Sequence, residues 1–182
     1  MFKNYPLILK ALRFAEEKHK GQKRKVSGED YISHPIAVSY LASNFKKSKN
    51  LVSIICAAIL HDTVEDTHTS YPEILEAFGM EIACIVFELT SDEKEIDRIG
   101  KGEYLKKKLC GISSYSLFLK LCDRLSNIMD NPSEKQIIET QEILSYLKKN
   151  RKLSKSHKAV IAEIENILSE KENRNDQCTS GS

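Results

Sequence analysis

The chain has 182 residues, and its 28 Lys and Arg nearly balance 26 Asp and Glu, giving a formal charge of +2. That length favours one domain. With 41% hydrophobic and 30% charged residues the chain is not globally disordered, and its near-neutral balance argues against a dedicated nucleic-acid binder.

Leu7, Ile8, Ala11, Leu12, Phe14 and Ala15 place an apolar stripe at helical spacing, which Gly21 stops. A polar, basic loop occupies residues 21–33, and Pro35 suits the first turn of a second helix through Phe45. The segment Leu51–Asp66 predicts a central buried helix, because residues 51–60 are apolar on nearly every side. Ser70-x-x-Glu73, with Pro72, predicts a capping box that opens a short helix ending near Gly79, and Met80–Leu89 is a further apolar helix. Residues 91–102, charged and containing Gly100 and Gly102, read as a loop. Tyr104–Leu109 is a short helix, and Ser113 or Ser114 caps a longer one through Asp130. Asn131-Pro132-Ser133 breaks the chain, and Ser133-x-x-Gln136 caps a helix to about Lys149. A last amphipathic helix spans Ser156–Lys171, and the polar residues 172–182 read as a disordered tail. The expectation is all-α: a single-domain helical bundle of eight to ten helices over residues 1–171.

The longest apolar stretch is too short to span a bilayer, and the N-terminus lacks the features of a signal peptide, so no membrane partner is expected. Five cysteines form no C-x-x-C; Cys56, Cys84 and Cys122 lie in apolar helical runs and read as buried reduced thiols, which fits a cytoplasmic compartment. His19 and His157 sit among charged residues and read as surface groups, while His68 is a candidate for lining a cleft.

The most informative run is His61-Asp62-Thr63-Val64-Glu65-Asp66, four ionisable residues directly after ten mostly apolar ones. On a continuous helix, positions 61, 62, 65 and 66 share an arc of about 140°. Such groups at the end of a core helix need a counterion, a metal or a water-filled cleft, unless the helix simply emerges into solvent there. Two more elements bear on that choice. His34-Pro35 stands where a loop enters a helix, and Asp123 lies in an apolar helical context with Asn127 one turn later. Together His34, His61, Asp62 and Asp123 supply two imidazoles and two carboxylates. That set suits Mn²⁺, Fe²⁺ or Zn²⁺ better than Ca²⁺ or Mg²⁺, and four protein ligands on an octahedral ion leave two positions for water and substrate.

These residues resemble those of the HD-domain metallophosphohydrolases. The longer pattern is Gly21-Gln22-Lys23-Arg24-Lys25, Tyr31-Ile32-Ser33-His34-Pro35, the His61–Asp66 run, and Lys120-Leu121-Cys122-Asp123-Arg124-Leu125-Ser126-Asn127. Over about residues 4–150 it looks like the hydrolase domain of RelA/SpoT homologues, of the stand-alone small alarmone hydrolase type. The resemblance implies a Mn²⁺-dependent 3′-pyrophosphohydrolase of (p)ppGpp, the alarmone of the stringent response, giving GDP or GTP and pyrophosphate. It implies metal ligation by His34, His61, Asp62 and Asp123, and action on the attacking water by Glu65 and Asp66. Arg24, Lys25 and Asn127 match substrate-side positions, and Tyr31, three residues before His34, is expected to contact the nucleotide.

The basic cluster from Lys18 to Lys25 lacks the interleaved aromatics of a single-strand RNA surface, so the partner expected is a small nucleotide and not a nucleic acid. Oligomeric state stays open. So do two alternatives: a related phosphohydrolase acting on another ribose-phosphorylated nucleotide, and a non-catalytic alarmone- or RNA-binding module. The chain departs from the family pattern in two places. The loop after Lys25 reads Val-Ser-Gly-Glu-Asp where many relatives have Ser-Gly-Glu-Pro, and Cys122 and Ser126 stand where Ala and His are commoner.

Overall fold

The computed structural model describes residues 5–179, with side chains through residue 171. Helical periodicity resolves into α1 (Tyr5–Lys18), α2 (Ser33–Phe45), α3 (Leu51–Leu60), α4 (Thr63–Asp66), α5 (Tyr71–Phe78), α6 (Met80–Leu89), α7 (Glu93–Ile99), α8 (Lys101–Gly111), α9 (Ser114–Met129), α10 (Glu134–Asn150) and α11 (Lys155–Thr179). Counted with α4 as the continuation of α3, these are ten helices, as the sequence reading expects at its upper end. Among the described residues there is no strand, only an isolated antiparallel bridge between Lys23 and Asp30. No helix among them is long and apolar enough to cross a membrane.

The α3 helix is central because its sequence has no polar face: Ile54, Cys56, Ala57, Ala58 and Leu60 are all fully buried. It packs against α1, α2 and α6, while α9 packs against α2, α6 and α11. Each large apolar side chain so buried contributes about 1.5–3 kcal/mol. The core formed by α2, α3 and α9 therefore fixes three segments distant in sequence, and each delivers polar groups to one place.

Ser133 and Gln136 make a reciprocal capping box at α10, whereas only half of the box expected at α5 forms: Ser70 Oγ accepts from the Glu73 amide, but the Glu73 carboxylate pairs with Lys18 Nζ at 2.7 Å. Several expectations are corrected. Residues 91–102 are not a loop: the Asp92 carboxylate caps Lys94 and Glu95, α7 follows, and Gly100 at φ +84° turns the chain directly into α8. Here the glycine punctuates two helices instead of unravelling both. The span 51–66 is interrupted at His61–Asp62, because His61 Nδ1–H and Thr63 Oγ–H bond the Ala58 and Leu60 carbonyls and compete with the helical ladder. The terminal helix runs to Thr179, so residues 172–179 continue it; no Pro or Gly interrupts the sequence before Gly181. Residues 180–182 lie outside the described range. Cys84 is exposed, whereas Cys56 and Cys122 are buried.

His19 and His157 are both buried, contrary to the expectation of surface groups. His157 Nε2–H donates to the Ser114 carbonyl at 2.8 Å, and its Nδ1 accepts from the Ser154 amide at 3.2 Å, tying α11 to α9. His19 stacks on Tyr31, with ring centroids 4.7 Å apart.

Candidate metal centre

Pro35 lies in the first turn of α2, next to the buried His34; α3 ends at the His61–Asp62 turn; Asp123 lies midway along α9. Packing of those helices brings His34, His61 and Asp123, all buried, to where one ligand atom of each lies within 4.8 Å of the others. Asp62 joins them: its Oδ2 is 3.0 Å from His61 Nε2 and 3.8 Å from His34 Nε2. Asp123 Oδ1 is 3.1 Å from His34 Nε2 and 3.8 Å from His61 Nε2.

The donor set fits a cation. Because His61 gives its Nδ1 proton to a carbonyl, which can only accept, the neutral ring has its Nε2 lone pair directed inward. That nitrogen is buried and makes no hydrogen bond, despite the carboxylate 3.0 Å away. Charge balance points the same way. Burial opposes a proton on His61, yet Asp62 and Asp123 outweigh it and push its pKa up to about 10. Burial likewise opposes charge on both aspartates, but His61 beside Asp62, and Lys120 with the two imidazoles beside Asp123, hold them well below the usual carboxylate range. The cluster therefore demands positive charge at its centre, which a divalent metal ion supplies.

Tyr31 stands beside the acidic run. Its hydroxyl donates at 2.7 Å to Asp62 Oδ2 and lies 3.0 Å from Asp66 Oδ2, spanning the two carboxylates. Burial, together with both acids, pushes its pKa far above the ordinary phenol value, so it stays a donor. Burial and the neighbouring Asp62 push the Asp66 carboxyl up. Glu65 is exposed and accepts the Ser91 amide at 2.8 Å.

Arg24 reaches across from the basic loop to Asn127 Oδ1 at 3.0 Å and to Asp130 Oδ2 at 2.8 Å. Asn127 in turn donates to Asp123 Oδ1 at 2.8 Å. Lys25 projects outward and makes no hydrogen bond or ion pair among the described residues. Gly28, at φ +74°, closes the hairpin that carries these two side chains, with the Arg24 amide on the Glu29 carbonyl at 2.8 Å.

Two cavities flank the acids. One of about 910 Å³ is lined by Glu17, Gln22, Glu65, Asp66, His68 and Glu73 and by none of the four cluster residues. The other, about 190 Å³, holds Lys101, Lys120 and Arg124 beside Glu65, Asp123 and Asn127.

Two neighbours of the cluster escaped the sequence reading. Lys120 Nζ is 2.9 Å from Asp123 Oδ2, and Ser126 Oγ is 3.2 Å from His34 Nδ1. Both stand three residues from Asp123 on one helix, a spacing that puts them on its face.

The comparisons agree with this geometry. Residues 11–152 match the HD domain family. A Xenopus tropicalis protein, guanosine-3′,5′-bis(diphosphate) 3′-pyrophosphohydrolase MESH1, is 38% identical over 125 residues, 68% of this chain and 69% of its own length. A Spiroplasma citri guanosine-3′,5′-bis(diphosphate) 3′-pyrophosphohydrolase is 35% identical over 170 residues, 88% of this chain but 22% of that longer protein. A solved structure described as "A metazoan ortholog of SpoT hydrolyzes ppGpp and plays a role in starvation responses" superposes with a TM-score of 0.74 at 22% identity, covering 90% of this chain and 94% of its own, and speaks for the fold. The chain belongs to the HD-domain family and, within it, to the RelA/SpoT-homologue hydrolases.

Proposed function

We propose that this protein hydrolyses the 3′-pyrophosphate of (p)ppGpp, with one Mn²⁺ held by His34, His61, Asp62 and Asp123; Fe²⁺ or Zn²⁺ would suit the same donors. The observation that carries the reading is the convergence of His34, His61 and Asp123 within 4.8 Å from three separate segments, around an imidazole nitrogen with no hydrogen bond. The name shared by the Xenopus and Spiroplasma relatives supplies the substrate. When bound, such an ion lowers the pKa of water and neutralises phosphoryl charge.

This chain's side chains do the rest. Water attacks the phosphorus joined to the ribose 3′ oxygen; that P–O bond breaks, the ribose oxygen takes up a proton, and pyrophosphate leaves GDP or GTP. Asp66, its carboxyl pushed up by partial desolvation and the neighbouring Asp62, and Glu65, one residue before it, would take the water's proton. Tyr31 keeps Asp66 and Asp62 in register. Lys101 and Arg124 face the phosphates from the smaller cavity, Arg24 and Lys25 meet the nucleotide from the loop, and Asn127 bridges Arg24 to the centre. The working unit is the domain 1–171, and four unpaired cysteines among the described residues fit a cytoplasmic enzyme.

The test is product analysis. Mn²⁺-loaded protein is incubated separately with ppGpp, with pppGpp and with other nucleotides phosphorylated on the ribose. GDP or GTP with pyrophosphate is the expected outcome; an untouched ppGpp beside rapid turnover of another nucleotide reassigns the substrate.

A further inference from the structure

His34 and His61 face the same centre but are held from behind in different ways. His61 Nδ1–H rests on the Ala58 backbone carbonyl, an acceptor that no substitution removes and that permits one tautomer only. His34 Nδ1 rests on a side chain, the Ser126 hydroxyl, at 3.2 Å. His34 and Ser126 are both buried. Asp123 and Ser126 stand three residues apart on α9, so one helical face clamps both ring nitrogens, Asp123 Oδ1 on Nε2 at 3.1 Å and Ser126 Oγ on Nδ1.

We propose that Ser126 is the positioning residue of His34, a two-way partner that lets this imidazole exchange tautomers as a cation enters and leaves. The proposal rests on the metal-centre reading above. A neutral imidazole carries one proton. With a cation at the centre, Nε2 must offer its lone pair; the proton sits on Nδ1 and the Ser126 oxygen accepts it. Without the cation, Nε2–H donates to Asp123 and Nδ1 needs a donor, which the same hydroxyl becomes by rotating. A carbonyl could serve only the first arrangement and an alkyl group neither.

No other hydrogen bond reaches His34 Nδ1 among the described residues. The cavity outside the pair, about 340 Å³, is walled by Ala37, Leu41 and Met129 and by the polar Arg24, Glu29, Ser33 and Asp130. Outer partners of metal-binding histidines typically contribute about 10–100-fold in metal affinity. His34 is thus the ligand whose support is written in a side chain, and Ser126 sets how tightly the whole site closes.

The experiment measures Mn²⁺ binding calorimetrically on the full chain for wild type, Ser126→Ala, Ser126→Thr and His34→Ala, beside the melting temperature of each metal-free protein. Ser126→Ala should weaken Mn²⁺ binding about 10–100-fold. Ser126→Thr, which keeps the hydroxyl, should restore most of it, and the metal-free melting temperatures should stay close together. A Ser126→Ala protein that binds Mn²⁺ like wild type while His34→Ala does not overturns the role of Ser126 and leaves the metal centre standing. Equal loss in Ala and Thr variants, tracking lowered metal-free stability, assigns Ser126 to packing alone and also overturns it. A wild-type protein that takes up no Mn²⁺ sinks the metal-centre reading itself.

Discussion

Tyr31→Phe separates two roles for one side chain. If the ring served a nucleotide base, deleting the hydroxyl would leave turnover intact. The structure gives the hydroxyl the work: it lies 2.7 Å from Asp62 Oδ2 and 3.0 Å from Asp66 Oδ2, and burial keeps it protonated. A hydrogen bond to a charged group contributes about 1.5–3 kcal/mol, and losing that much at the transition state lowers kcat about 10- to 150-fold. The lower part of that range applies, because one hydroxyl proton serves two carboxylates and Asp62 keeps His61 beside it. KM should hardly move, since the interaction is with the acids and not with substrate. Steady-state hydrolysis of ppGpp by wild type, Tyr31→Phe and Tyr31→Leu is the assay. Tyr31→Leu should fall further, for it also loses the stack on His19. A Tyr31→Phe enzyme with wild-type kcat, and a raised KM in Tyr31→Leu alone, would refute the reasoning and return Tyr31 to the nucleotide.

Asp62→Ala should abolish Mn²⁺ uptake and hydrolysis together; calorimetry that still finds a full equivalent of tightly bound metal removes Asp62 from the ligand set. Glu65→Gln should retain Mn²⁺ yet lose about 10²–10⁴ in kcat, the range for general acid–base assistance, and an unchanged rate would leave Glu65 a surface acid. His157 predicts acid sensitivity away from the site. Burial lowers its pKa, and Lys46 and Arg151 add to the shift. Its contribution is therefore complete above the ordinary imidazole value, about 6.5, and is lost as pH falls below it and the unfolded chain alone takes the proton. His157→Gln should melt lower than wild type near neutrality, and the gap between them should narrow on acidification; a gap that stays constant contradicts the assignment.

Much of the architecture was legible because periodicity and caps are local signals. The α3 helix announces itself by having no polar side, and Ser70 and Ser133 mark their helices correctly. The four cluster residues were legible for a related reason: buried helices that carry His or Asp must bring them to a common partner. What failed was the inference from sequence neighbours to spatial surroundings. His19 and His157 lie among charges along the chain but are covered by other elements, Tyr31 from the basic loop and Ser114 from α9. Tyr31 itself needed the third dimension, since its partners come from thirty-one and thirty-five residues away. Ser126 could have been found: it is one turn from Asp123 on a face already marked as facing inward, yet as a substitution for a commoner residue it read as a departure and not as a part.

The guanidinium of Arg24 is already engaged before any ligand arrives, held at once by Asp130 and by Asn127, whose amide end grips Asp123. A purine or phosphate that draws Arg24 toward itself must first unlatch it from Asp130. Asn127 would then lose one of the two side chains that hold it, keeping only its bond to Asp123, so the hairpin and the cluster are two hydrogen bonds apart.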